Sequence, residues 1–192
     1  MINKKAMLLI FIIVLNFSIN LNSIVSKSDS VNSKDKNMTI SIIKGWQALS
    51  FNSSILNCQF HPCCSNYCIE AIERFGTTKG ILLGADRISR CHPYAKEYYY
   101  SSEKGIIDPV PNHLNTNTKD LNYNSVPISY IIPGLDKVLN GKYYDGISIF
   151  LITGLSLYRS ISLCKDGNLL LIPYSTIFLI FYSSNIFRYI NL

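Results

Sequence analysis

The sequence predicts a mainly α protein, a small helical hairpin domain with an amphipathic N-terminal helix, flanked by transmembrane helices. Three observations predict it. Apolar residues crowd the first 25 and the last 50 of the 192 positions, while the middle is mixed and polar. Two stretches with helical apolar spacing are divided by a single Gly76. Near the C-terminus, two apolar runs are joined by a short polar segment over residues 164–168.

In chain order, Lys4 and Lys5 precede an apolar run over residues 6–25, the layout of a signal anchor or a signal peptide. Residues 26–38 are rich in Ser, Lys, Asp and Asn and read as a linker. Residues 39–51 carry Ile40, Ile43, Trp46 and Leu49 close to helical spacing. Such a helix either lies in a membrane interface with Trp46 at headgroup depth or packs on its neighbours. Ser65, a candidate N-cap, opens a helix to Phe75, and Gly76 stops it. A further helix over residues 77–90 is expected to turn Ile81, Leu82, Ala85 and Ile88 inward and Asp86, Arg87 and Arg90 outward. Residues 114–145 read as a second linker, and residues 146–192 as a hairpin crossing the membrane twice. The alternative for that last pair is two buried helices of a soluble core.

Two antiparallel helices of similar length, each ~16–20 Å at 1.5 Å per residue, bring the start of the first beside the end of the second. Cys58 and Cys64 precede or open the first, and Cys91 follows the second, so the three are expected to converge, with His92 arriving at the same end. Three readings of that cluster stand. They are a zinc site on Cys58, Cys64, Cys91 and His92, a disulfide from Cys91 to Cys58 or Cys64, and buried reduced thiols. The spacing is not the paired C-x-x-C of common zinc modules, so the pattern assigns no metal. No Asp or Asn is placed to orient His61 or His92 for nucleophilic catalysis, and phosphate-loop, H-E-x-x-H and G-x-S-x-G patterns are absent. No catalytic residue and no cofactor are assigned. The net charge of +6 is scattered and suits an anionic lipid surface rather than a nucleic-acid groove.

Five strings in order then carry a resemblance. Residues 58–67, C-Q-F-H-P-C-C-S-N-Y, resemble the C-R-F-x-P-[ST]-C-S-x-Y signature of the YidD family, matching at Cys58, Phe60, Pro62, Cys64, Ser65 and Tyr67. Glu70-Ala71 with Phe75-Gly76, then Lys79-Gly80, then Arg87 to Arg90-Cys91-His92-Pro93, then Asp108-Pro109-Val110-Pro111 continue it. Trp46-Gln47 with Ser50 is similar to the family's upstream Y-Q-x-x-[IL]-S. The resemblance spans residues 39–113. It departs at Gln59 and Cys63, and by about a dozen extra residues over 95–107.

The resemblance implies a small non-enzymatic protein of the cell inner membrane that aids insertion of integral membrane proteins through the YidC/Sec machinery. Its partners would be the lipid bilayer and that machinery, with no nucleic acid. A thiol- or metal-dependent enzyme and a structural envelope protein are the competing readings. Lys4, Lys5, Arg159 and Lys165 as cytoplasmic markers would put the middle region outside the cytoplasm. The resemblance implies the cytoplasmic face, which is preferred because the expected partner is reached there. Arg87, Arg90 and His92 near the cysteines would form a basic platform for lipid phosphate or an acidic partner; alternatively both arginines are solvated charges. Pro62, Pro93, Pro109 and Pro111 would fix loops, and Asp108 would accept hydrogen bonds that close the fold. Residues 132–146, I-P-G-L-D-K-V-L-N-G-K-Y-Y-D-G, are similar to the opening of small two-span bacterial membrane modules of unknown role.

Overall fold

A computed structural model describes residues 33–50, 58–99, 101–103, 105–111, 132–166 and 169–191. The expected N-terminal segment 1–25 and most of the second linker lie outside these residues. The described chain is mainly helical. In order it forms α1 (Ser33–Ser50), β1 (Phe60–His61), α2 (Cys64–Phe75), α3 (Thr77–Arg90), a 3-10 turn (Ala95–Glu97), β2 (Ser101–Ser102) and β3 (Gly105–Ile107). It continues with α4 (Leu135–Leu139), α5 (Tyr143–Asp166) and α6 (Leu171–Asn191).

Helices α2 and α3 form the hairpin, and Gly76 makes the break. Its φ of 84° and ψ of 169° end one helix and start the next, a conformation that costs a residue with a Cβ. The two helices then run unusually close. A Cβ on Gly80 would stand 2.5 Å from the Ile72 backbone, and one on Gly84 would stand 2.6 Å from the Cys68 Sγ. Two glycines one turn apart thus open a seam that α2 fills. Cys63, not Ser65, occupies the N-cap position of α2, and makes no capping bond with its side chain.

Small strands close the loop end. β1 pairs in parallel with β3, Phe60 opposite Ile106, and β2 pairs antiparallel with β3, giving the order β1-β3-β2. The extra residues 95–107 therefore contribute structure. Ala95 and Ile106 join Phe60 in a small core, with Cys58, Cys91 and Tyr99 packed on it.

The main core lies between the hairpin and α6. Tyr67, Ala71, Leu82, Leu83 and Val110 meet Phe178, Tyr182, Ile186 and Phe187. On α6, Ser183, Ser184 and Asn185 are also buried, and the Ser184 hydroxyl donates to the Leu82 carbonyl at 2.9 Å. This small polar patch asks for a protein neighbour, not lipid. Tyr143–Cys164 is long and apolar enough to cross a membrane, by length and composition. The apolar part of α6, Leu171–Phe187, is shorter and serves at its far end as a wall of the domain.

Three expectations of facing need correction. Asp86, Arg87 and Arg90 are buried, not outward, and Ile88 is exposed, not inward. The α3 surface that meets β1, the Asp108 loop and α4 is polar, because the groups there are backbone carbonyls and carboxylates that need donors. On α1, Ile40 is buried and Ile43, Gln47 and Ser50 are half-buried. Trp46 and Leu49, which spacing grouped with Ile40, lie with Met38 and Ile42 on a second face, roughly a third of a turn away at 3.6 residues per turn. That face is exposed, Trp46 by 58% and Leu49 by 82%. The helix also starts at Ser33, inside the expected linker.

Candidate functional site

The hairpin brings three thiols to one end. Cys58 lies just before β1, Cys64 is the first residue of α2, and Cys91 follows α3. The Cys58 Sγ stands 3.3 Å from the Cys64 Sγ and 3.6 Å from the Cys91 Sγ. The Cys64 backbone N–H donates to the Cys58 sulfur at 3.3 Å. Donation by the Cys64 thiol, then by the Cys91 thiol, holds the Cys58 thiol far below its ordinary range, while Cys64 and Cys91, facing it, are raised. Cys63, Cys68 and Cys164 stand outside the cluster.

One turn away, the family arginines hold the loops. The Arg87 side chain is fully buried, and its guanidinium donates to the Pro62 carbonyl at 2.7 Å and to the Asp108 carbonyl. It also lies over the Tyr67 ring, 4.2 Å from the centroid, and over Phe60 at 4.9 Å. Burial pushes the Tyr67 hydroxyl up to about 12. Arg90 donates through Nε to Asp86 and through Nη1 to the Asp108 carboxylate, each at 3.0 Å. Burial works against the Arg90 charge, but Asp86 and Asp108 outweigh it and hold its proton more tightly. Both arginines are spent on the fold, so neither the basic platform nor the solvated-charge reading describes them.

His92 leaves the cysteine cluster and turns to the C-terminal helices. Its Nε2 lies 2.6 Å from the carboxylate of Asp145, which is fully buried and also accepts from the Tyr99 hydroxyl. Lys137 reaches Asp86 at 3.4 Å, and Tyr94 stacks on Tyr144 with centroids 4.3 Å apart. The I-P-G-L … D-G segment is thereby wired into the hairpin. Gly134 and Gly146 make this possible, since a Cβ on either would stand within 2.5 Å of the other's carbonyl oxygen.

The remaining motif residues have structural surroundings. Phe60 is in the small core, and the Ser65 hydroxyl accepts from Gln47, whose amide also reaches Asn66. Gly76 and Gly80 shape the hairpin, and Lys79 is half-buried on the first turn of α3. Pro93 is exposed in the turn after His92, and Pro109 is exposed beside Asp108. Sequence reasoning missed Gln47, Asp86 as a buried group, Tyr99, Lys137 and Asp145. Gln47 carried a signal as part of the upstream motif, and Asp86 in its i,i+4 spacing from Arg90. Tyr99, Lys137 and Asp145 make pairs that span 46 to 53 residues, which no local pattern encodes.

Two apolar surfaces complete the picture. One is the Met38, Ile42, Trp46 and Leu49 face of α1. The other is on α5, where Ile147, Phe150, Leu151, Leu155 and Tyr158 are exposed.

Comparison with known proteins accounts for the domain. A family model, YidD, described as "Putative membrane protein insertion efficiency factor", matches residues 35–111. Relatives carry the same description. One from Kosmotoga olearia is 39% identical over 87 residues, 44% of this chain and 99% of the relative. One from Syntrophomonas wolfei is 42% identical over 74 residues, 38% of this chain and 96% of the relative. One from Azoarcus is 47% identical over 55 residues, 29% of this chain and 68% of the relative. No solved structure matches the chain significantly. The chain belongs to the YidD family of membrane protein insertion efficiency factors, with its C-terminal helices beyond the matched region.

Proposed function

We propose that this protein is a membrane-attached accessory factor that helps the YidC/Sec machinery place integral proteins in the inner membrane, with its family domain at the cytoplasmic face. The observation that carries the reading is the second face of α1. Met38, Ile42, Trp46 and Leu49 form an apolar stripe that is exposed among the described residues, on a helix whose other face is held to the domain. A helix of this kind binds in the interfacial plane, with Trp at headgroup depth.

The C-terminal hairpin adds a second attachment. The start of α5 and the end of α6 both lie against the domain, through Asp145 and through Phe187. The end of α5 and the start of α6 therefore lie away from it, and the exposed apolar residues of α5 enter the bilayer. In this arrangement the domain is held on one face, close to nascent segments leaving the insertion machinery. The family is described by insertion efficiency, not by a reaction, and the buried arginine and histidine pairs serve as fold contacts without a chemical step.

The test is insertion of a YidC-dependent reporter in cells lacking their own factor. The full chain should restore the insertion rate, and Ile42→Glu with Trp46→Glu should lose that restoration while the protein still accumulates. Failure of the full chain to restore insertion, at an abundance matching a working relative, would overturn the proposal.

A further inference from the structure

The cysteine cluster has a geometry that neither the family description nor the insertion role assigns. Three chain segments deliver one thiol each, and the Sγ atoms of Cys58, Cys64 and Cys91 all lie within 4.8 Å of one another. Thiolates around a tetrahedral zinc, with Zn–S about 2.3 Å, stand about 3.8 Å apart. The two contacts at 3.3 and 3.6 Å are close to that edge length. A disulfide needs only two of the three and gives no reason for the third to converge.

The backbone is arranged for thiolates. The backbone N–H of Cys64 donates to the Cys58 sulfur at 3.3 Å. Cys64 opens a helix, where the unpaired N–H groups favour negative charge. Phe60, Ala95, Ile106 and Tyr99 wall the cluster on one side, so the thiols are half-buried and shielded from exchange. This wall includes the extra segment 95–107. His92 lies outside this group; its Nε2 bonds Asp145, on the side of the C-terminal helices.

We propose that Cys58, Cys64 and Cys91 form a three-thiolate site for a thiophilic d10 cation, with zinc(II) as the expected ion, which ties the start of α2 to the end of α3. Soft thiolate sets select zinc and copper(I) over hard cations. Binding displaces the thiol protons to solvent and changes no oxidation state. Solvent completes the zinc coordination. The site sits at the open end of the hairpin, beside the loops that Arg87 holds.

The experiment uses the full chain in detergent, purified with a phosphine reductant and without chelator. Elemental analysis should find zinc stoichiometric with protein. Cobalt(II) added to metal-stripped protein should give thiolate-to-cobalt charge-transfer absorption, and zinc should displace it. Cys58→Ser and Cys91→Ser should abolish the absorption, while Cys164→Ser should retain it in full. Stripping the metal should lower the Tm, and zinc should restore it. Stoichiometric copper in place of zinc would keep the three-thiolate site and correct the ion. If Cys58→Ser fails to fold, the cobalt spectra of the native chain and of Cys164→Ser still decide the question. Absence of stoichiometric metal and of charge-transfer absorption in protein with all thiols free would overturn the proposal. So would a disulfide among the three in protein alkylated at lysis.

Discussion

Arg87 shows how a charged side chain can be a core residue. Its guanidinium satisfies two loop carbonyls, those of Pro62 and Asp108, that the hairpin would otherwise bury unpaired. Lysine offers three donors on one nitrogen but not the planar fork whose two nitrogens reach the two carbonyls separately. Arg87→Lys should therefore cost about 3 kcal/mol, the scale of a lost charge-assisted hydrogen bond in a buried site, measured by denaturant unfolding. Hydropathy placed Arg87, Arg90 and Asp86 outward because it scores a residue alone. Asp86 and Arg90 pair with each other four residues apart, but their further partners, Lys137 and Asp108, lie 51 and 18 residues away and are invisible to local spacing. The thiols separate at the same scale. Burial pushes the Cys68 thiol up to about 11, whereas Cys164 is exposed. At pH 8, alkylation should modify Cys164 well before Cys68, which should react only after unfolding, read by mass spectrometry. Equal rates for the two would contradict the packing of Cys68 against Gly84.

The helices were legible in the sequence where period and punctuation agreed. Gly76 divides two amphipathic stretches, and only a glycine meets its φ of 84° without strain. The strands were not legible, since two or three residues are too few to alternate visibly. The phase of α1 was legible only in part. Its apolar residues serve two faces, one against the domain and one exposed, and a single-face count merges them. The α2–α3 seam yields a sharp prediction. Gly80→Ala adds a Cβ 2.5 Å from the Ile72 backbone, so the helices must part. The loss should be about 1–3 kcal/mol despite alanine's better helix propensity. Gly45→Ala on α1, where nothing lies within 4 Å, should instead be neutral or stabilising, and thermal melts would separate the two cases.

For the whole molecule, the C-terminal helices are part of the domain and not a detached anchor. Phe178, Tyr182, Ile186 and Phe187 complete the core begun by Tyr67 and Leu83, and Asp145 locks the start of α5 to His92 and Tyr99. Composition reads the α6 run like the α5 run because lipid and a protein core select the same side chains. The buried Ser183-Ser184-Asn185 patch separates them only once the partner carbonyl of Leu82 is seen. Asp145→Asn removes the buried charge that holds both donors, and should cost about 2 kcal/mol and speed proteolysis near residues 140–146. Unchanged proteolysis would mean that the stacked tyrosines alone dock the segment.

The central claim is that α1 lies on the bilayer while its other face holds the domain. Trp46 is the chain's single tryptophan and sits on the exposed stripe, so its fluorescence reports that claim directly. The measurement is Trp46 emission from the full chain reconstituted in phosphatidylethanolamine–phosphatidylglycerol vesicles, with and without lipids brominated on the acyl chains. The account predicts a blue-shifted emission that brominated lipid quenches strongly. Emission at the wavelength of water-exposed tryptophan, unquenched by bromine in protein shown to be membrane-bound, would contradict it.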